Sequence, residues 1–161
     1  MFNPGFLLAA DFHCDSGYLL YGNFCYFFEI EDVKNWANAE AECVKEQGHL
    51  ASFHSEEEFS FLIGERSDAL RDSAWMGLRR QGDGSYKWSD GWPVFFTQWG
   101  PGEPSNLQDE GCVSMHAAFP FHGTWNDTDC AVAKSYICKI SYGTAPSVPG
   151  FDDPPRLTGL V

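Results

Sequence analysis

An α+β domain held by disulfides is expected from this chain on three grounds. Two stretches with helical spacing of apolar residues lie in the first half, and short apolar pieces between turn formers fill the rest. Six cysteines, at 14, 25, 43, 112, 130 and 138, are spread across both parts with no C-x-x-C pair. That pattern favours disulfides of an oxidising compartment over zinc or thioredoxin-like chemistry. The 161 residues suit one domain with short tails, and 43% apolar with 16% aromatic residues is enough for a packed core.

Residues 1–13 read as a lead-in. Phe6 to Ala10 is apolar but short and has no basic stretch before it, so it does not resemble a signal peptide. No apolar run reaches the roughly 18–20 residues of a membrane span. Tyr18 to Tyr21, Gly22-Asn23 and Phe24 to Ile30 read as two strands around a tight turn, which would bring Cys14 close to Cys25. Asp32 is expected to cap a helix running to about Glu46, with Gly48 ending it. Trp36, Ala39 and Cys43 share one face of that helix, with Ala37, Ala41 and Val44 beside them. Ser55 and Glu58 form a capping box for a second helix, whose stripe of Phe59, Leu62, Ile63, Arg66 and Leu70 faces the core through its apolar members. His54-Ser55-Glu56 is explained by this helix start.

From Ala74 the pattern changes. Trp75-Met76-Gly77-Leu78 reads as a strand and Gly82-Asp83-Gly84 as a turn. Tyr86 and Trp88 are followed by Gly91-Trp92-Pro93 and Trp99-Gly100-Pro101-Gly102, a long aromatic loop region of the kind that carries function. Trp36, Trp75 and Trp88 are assigned to the core, and Trp92, Phe95 and Phe96 to packing under this loop. Val113 to Ala117, Thr124 to Trp125 and Lys134 to Ile140 supply closing strands. Residues 142–161 form a Pro/Gly-rich linker or tail. Six cysteines allow fifteen pairings, and sequence alone does not choose among them. Local geometry favours Cys14 with Cys25 and Cys112 with Cys130, leaving Cys43 with Cys138 as a long closure worth several kcal/mol.

The net charge of −13 makes the surface a poor match for nucleic acid and compatible with cations. Oxygen-bearing side chains concentrate late in the chain: Glu103-Pro104-Ser105-Asn106, then Glu110 before Cys112, then Trp125-Asn126-Asp127 before Cys130. Carboxylates and carboxamides are the hard ligands that calcium prefers, roughly six to eight of them at about 2.3–2.6 Å. The five histidines form no H-E-x-x-H. His116 and His122 flank Phe119-Pro120-Phe121 and read as surface residues.

Over about residues 14–141 the chain resembles a C-type lectin-like domain of the long, three-disulfide form. The resemblance rests on the Cys-Cys hairpin, the two helices, Trp75-Met76-Gly77-Leu78, Glu103-Pro104-Ser105 and Trp125-Asn126-Asp127. Trp88-Ser89-Asp90-Gly91 and the Pro-rich exit are similar to modules of the mannose-receptor group. The resemblance implies two helices and two small antiparallel sheets with a long calcium-binding loop over one of them. It implies a non-enzymatic, extracellular module, secreted or part of a cell-surface ectodomain, with glycans or glycoproteins as partners and neighbouring modules in a larger receptor. It also implies one Ca2+ held by Glu103, Ser105, Glu110, Asn126 and Asp127, and a cis bond before Pro104. Sugar hydroxyls of mannose, fucose or N-acetylglucosamine type would meet the ion and Glu103, Ser105, Asn106, Glu110 and Asn126.

Three features depart from the pattern. Ser105 stands where the mannose-type motif has Asn, and Asn106 follows it. Arg80 and Gly111 occupy positions of an accessory calcium site, so one principal calcium is expected and Asp83 is read as a turn residue. Asn126-Asp127-Thr128 is a glycosylation sequon overlapping the ligand set, expected to be closed off by folding. Two other functions remain in view. One is a lectin-like domain that binds a protein ligand with calcium structural or absent, which Ser105 keeps open. The other is a two-acid glycosidase, disfavoured because the acids fit one metal cage.

Overall fold

In the first hairpin, strand β1 (Leu19–Tyr21) pairs with β2 (Phe24–Lys34), Leu20 lying opposite Cys25. The computed structural model describes residues 14–66, 70, 72–117 and 121–141. The lead-in 1–13, the tail 142–161, Phe119-Pro120 and the Arg66 side chain lie outside the described residues. Cys14–Cys25 closes the hairpin, and Cys43–Cys138 and Cys112–Cys130 complete the set.

The first helix begins later than Asp32. Strand β2 continues to Lys34, which pairs with Lys134 after an irregularity, so Asp32 is an exposed strand residue in an ion pair with Lys34 at 3.1 Å. Helix α1 is Trp36–Lys45, and its N-cap is Asn35, whose Oδ1 accepts the Asn38 N–H at 2.9 Å. Tertiary partners explain the shift. The Trp75 indole donates to the Lys34 carbonyl at 3.0 Å, and the Trp36 N–H donates to the Cys130 carbonyl at 3.1 Å. These bonds hold the segment extended where local propensity allowed a helical turn. Trp36, Ala39 and Cys43 are buried as expected, whereas Val44 is exposed. At the other end Gln47, not Gly48, takes the left-handed conformation, with φ 71°. Gly48 is glycine for another reason: a Cβ there would collide with the Lys139 carbonyl.

Helix α2 (Glu56–Arg66) starts at the expected cap, with the Glu58 N–H donating to Ser55 Oγ at 3.0 Å. The Glu58 carboxylate reaches back one residue further than a capping box requires, accepting the His54 N–H at 2.7 Å. The stripe of Phe59, Leu62 and Ile63 is buried, and so is Leu70 beyond the helix end.

Strands β3 (His49–Leu50), β4 (Ser73–Arg80), β5 (Tyr86–Trp88), β6 (Glu110–His116), β7 (Trp125–Asp129) and β8 (Lys134–Ser141) complete the sheet. The order is β1-β2-β8-β4-β6-β7, with β3 added to β8 and β5 to β4. All these pairings are antiparallel except a short parallel contact, Ala74 with Ser135 and Trp75 with Tyr136. That contact joins the two small antiparallel sheets into one mixed sheet. Gly77 permits the close crossing between them: its N–H bonds the Ala51 carbonyl at 2.9 Å, and a Cβ would lie 2.6 Å from the Leu50 carbonyl oxygen.

The core positions the late loop. Trp125, fully buried, meets Phe59, Trp88, Phe96 and Trp99 edge-on at centroid distances of 5.5–6.1 Å. Aromatic pairs of this kind add about 0.5–1.5 kcal/mol each beyond area burial. Trp99 also forms a bridge to Trp125. The loop after β5 is thereby anchored to the residue that precedes Asn126 and Asp127. Trp92 and Phe96 pack as expected under the loop, but Phe95 is 67% exposed.

Candidate functional site

Strands β6 and β7 run further toward the loop than the sequence reading placed them, so Glu110, Asn126 and Asp127 belong to paired strands. Asn126 lies opposite Ser114 and Asp127 opposite Val113, with an irregularity between Glu110 and Cys112. Alternation along β7 sends the two side chains to opposite faces. The Asp127 side chain is fully buried. Asn126 is half-buried; its Oδ1 accepts from Ser114 Oγ at 3.3 Å, and its Nδ2 turns back toward the Asp127 carbonyl at 3.4 Å. The sequon therefore sits within a hydrogen-bonded strand pair.

Asp127 organises the loop. Its Oδ1 accepts the Ser105 N–H at 2.7 Å, and its Oδ2 accepts the Asn106 N–H at 2.7 Å and the Tyr86 hydroxyl at 3.3 Å. The Arg80 guanidinium stands 3.8 Å from the same Oδ2. Burial, the largest single influence, would raise this carboxyl, but the Ser105 and Asn106 N–H groups together with bonds to the Glu103 and Ser105 side chains hold Asp127 below its ordinary range. Glu103 shows the converse. Burial, and then a hydrogen bond to and the charge of Asp127, push its carboxyl above the usual range. Glu103 Oε1 is buried without a protein partner. The Glu103–Pro104 bond is cis.

The remaining motif residues are also engaged. Ser105 Oγ donates to Glu110 Oε1 at 2.6 Å. Asn106, at φ 58°, shares the one Tyr86 hydroxyl proton with Asp127, its Oδ1 accepting at the shorter distance of 3.0 Å. Ser105, Asn106, Glu110 and Asp127 are thus linked by hydrogen bonds, Glu103 lies beside Asp127, and Asn126 is tied to Ser114 across the strand. Among the described residues no three His, Cys, Asp or Glu side chains converge as a metal cluster. The acids are spaced instead: Glu103 lies beside Asp127, while Glu110 holds the Ser105 hydroxyl.

Asp83 is a turn residue: its Oδ1 accepts the N–H and hydroxyl of Ser85 at 2.9 and 2.7 Å. Tyr86 was not singled out from the sequence. A signal existed, because the Gly82-Asp83-Gly84 turn places Tyr86 directly opposite Arg80 in the β4–β5 register.

Residues 32–140 match the family model described as the lectin C-type domain. The chain belongs to the C-type lectin domain family. The lectin domain is 32% identical over 136 residues to the human C-type lectin domain family 17, member A, covering 84% of this chain and 34% of that protein. It therefore spans about a third of that relative's length. Its fold matches the cow C-type carbohydrate-recognition domain of CD23, solved in the presence of GlcNAc2Man3 oligosaccharide, at 32% identity and TM-score 0.68, covering 80% of this chain and 96% of that one. A calcium-independent type II antifreeze protein matches at 32% identity and TM-score 0.71, covering 80% and 95%. The family is one of disulfide-bonded binding modules, typically extracellular, that often bind calcium and includes calcium-independent members. No helix among the described residues is long and apolar enough to cross a membrane.

Proposed function

We propose that this lectin domain is an extracellular, non-enzymatic carbohydrate-binding module that engages mannose-type sugars at one calcium ion beside the cis-proline loop. The supporting observation is Glu103 Oε1, a buried oxygen with no protein partner, in the same loop as the fully buried Asp127 carboxylate. A buried acceptor left without a donor is suited to a cation. The donor set is all oxygen, which suits calcium. Glu103, Glu110 and Asp127 would hold the ion with Ser105 as a neutral ligand, and Asn126 would join them only by leaving its hydrogen bond with Ser114. When bound, calcium supplies positive charge and open coordination positions for two neighbouring sugar hydroxyl oxygens.

The protein's own groups supply the rest. Glu103 and Glu110 accept hydroxyl protons, and the Asn126 amide donates to remaining lone pairs. Asp127 is largely committed to the loop backbone. Its carboxylate has about four lone-pair sites, and the two N–H groups and the Tyr86 hydroxyl occupy three of them, so one remains for a metal. Ser105 shortens the reach of the motif, and one monosaccharide is expected to bind near ~1 mM. Tandem modules of a larger receptor would raise avidity.

A glycan array read with and without chelator, together with a melting curve, tests this. Mannose-type glycans should bind in calcium and be lost in chelator. Calcium at 100 times its dissociation constant should add about 2.7 kcal/mol of stability. No melting shift at millimolar calcium overturns the metal site.

A second reading has its own support. The Arg80 guanidinium beside Asp127 is a cation already in place, and the matched antifreeze protein is described as calcium-independent. In that reading the same surface binds a protein ligand. Capture of a protein partner in chelator, with no glycan bound in calcium, would select it.

A further inference from the structure

Arg80 is the last residue of β4, and its side chain is only 17% exposed. Nη2 donates to the Leu107 carbonyl at 2.8 Å and approaches the Gln108 carbonyl at 3.4 Å, so the guanidinium grips the loop backbone 27 and 28 residues downstream. Nη1 is buried, without a hydrogen bond, 3.8 Å from the fully buried Asp127 carboxylate. Asp127 in turn holds the N–H groups of Ser105 and Asn106, and Tyr86, opposite Arg80 in the hairpin, bonds both Asn106 and Asp127. The result is a closed circuit. Carbonyls on the descending side of the loop meet the guanidinium, amides on the ascending side meet the carboxylate, and the two charges face each other.

We propose that Arg80 is a built-in cation that holds the 103–110 loop in its folded shape through Asp127, Leu107 and Gln108, so that loop order does not depend on a bound metal. The fork geometry of a guanidinium suits this role, since one nitrogen can hold the loop carbonyls while another keeps its charge beside the carboxylate, and the group does not lose that charge. A charged donor buried against a carboxylate also resists the local opening that an isolated loop of this length would undergo. Arg80 is thus a positioning residue. It reaches no proposed sugar contact itself, and its role stands whether or not the domain binds glycans.

Amide exchange by NMR on the full chain tests the idea. In chelator, the Ser105 and Asn106 amides of the wild type should be protected to within about twofold of their value in calcium. In Arg80→Met they should exchange at least about tenfold faster in chelator, as expected for losing hydrogen bonds to a charged group, and calcium should slow them again. Core amides such as Gly77 and Ala51 should stay protected, which separates the local effect from misfolding. Arg80→Lys, which keeps the charge but not the fork, should fall between the two. Free exchange of Ser105 and Asn106 in wild-type protein without calcium overturns the proposal, as does unchanged protection in Arg80→Met. If Arg80→Met does not fold, the wild-type comparison and Arg80→Lys still decide it. Absence of glycan binding with these amides protected would count against the lectin function and leave Arg80's role intact.

Discussion

Glu58→Gln should unfold this domain far more easily than the change of one atom suggests. Glu58 is buried, and its carboxylate accepts the Lys139 ammonium at 3.0 Å, the Tyr26 hydroxyl and the His54 N–H. The Lys139 side chain is 3% exposed; its other contacts are Ser52 Oγ and the Ser52 carbonyl, with the Phe24 and Tyr26 rings beneath the charge. Burial already pulls the Lys139 ammonium below its ordinary pKa, and Glu58 is the main group opposing that shift. The glutamine keeps the shape, but its single carbonyl oxygen can replace only one of the two carboxylate oxygens: with that oxygen on the His54 N–H, the amide NH2 faces Tyr26 and Lys139, and the buried ammonium loses its counter-charge. Breaking a buried pair in this way costs about 3–5 kcal/mol. Domains have only about 5–15 kcal/mol in total. At about 2–4 °C per kcal/mol for a domain of this size, the melting temperature should fall by about 6–20 °C. Lys139→Met added to Glu58→Gln removes the stranded charge, and the double variant should recover to within about 2 kcal/mol of wild type. The assay is urea denaturation followed by circular dichroism, run as a double-mutant cycle. If the double variant falls by the sum of the two single losses, Glu58 does not stabilise the domain by countering the Lys139 charge.

Ser55→Ala should cost about 1 kcal/mol, the usual value of an N-cap, because Ser55 Oγ satisfies only the Glu58 N–H while the Glu58 carboxylate keeps the other end closed; the urea midpoint reads this. His54 is held at about 4, first by burial under Trp92 and Trp88 and then by Lys139, below its ordinary value near 6.5. The unfolded chain therefore takes up the proton first, so stability present above about pH 6.5 should decline as pH falls toward 4. His54→Gln should flatten that part of the profile, and an unchanged slope would remove His54 as its cause.

Several elements were legible because their determinants are local. The Ser55 cap, the apolar stripe of α2, the Gly22-Asn23 hairpin and the Trp75–Leu78 strand each carry their signal within a few residues. The close spacing of Cys14 with Cys25 and of Cys112 with Cys130 made those pairings readable, and the third followed. Asp32 misled because an acid before a helical stripe is a good cap in isolation. Nothing nearby announces that Lys34 will be drawn to Lys134 and Trp75. In the site, the motif residues were visible as oxygen donors, but their partners were not. Ser105 spends its hydroxyl on Glu110, Asn106 turns to Tyr86, and Asn126 faces Ser114 across a strand whose extent the sequence understated.

Residue order alone determined the kind of domain this is: where apolar spacing turns helical, where turn formers fall, that the cysteines are many and spread out, and where hard oxygen ligands gather. Those properties depend on spacing and side-chain chemistry along the chain. The tertiary structure decided which charges are buried and what each one faces. Arg80 meets Asp127 and Lys139 meets Glu58 across 47 and 81 positions, and only packing brings such groups out of water and into reach of each other. Burial turns them from surface charges into the supports of a loop and a core.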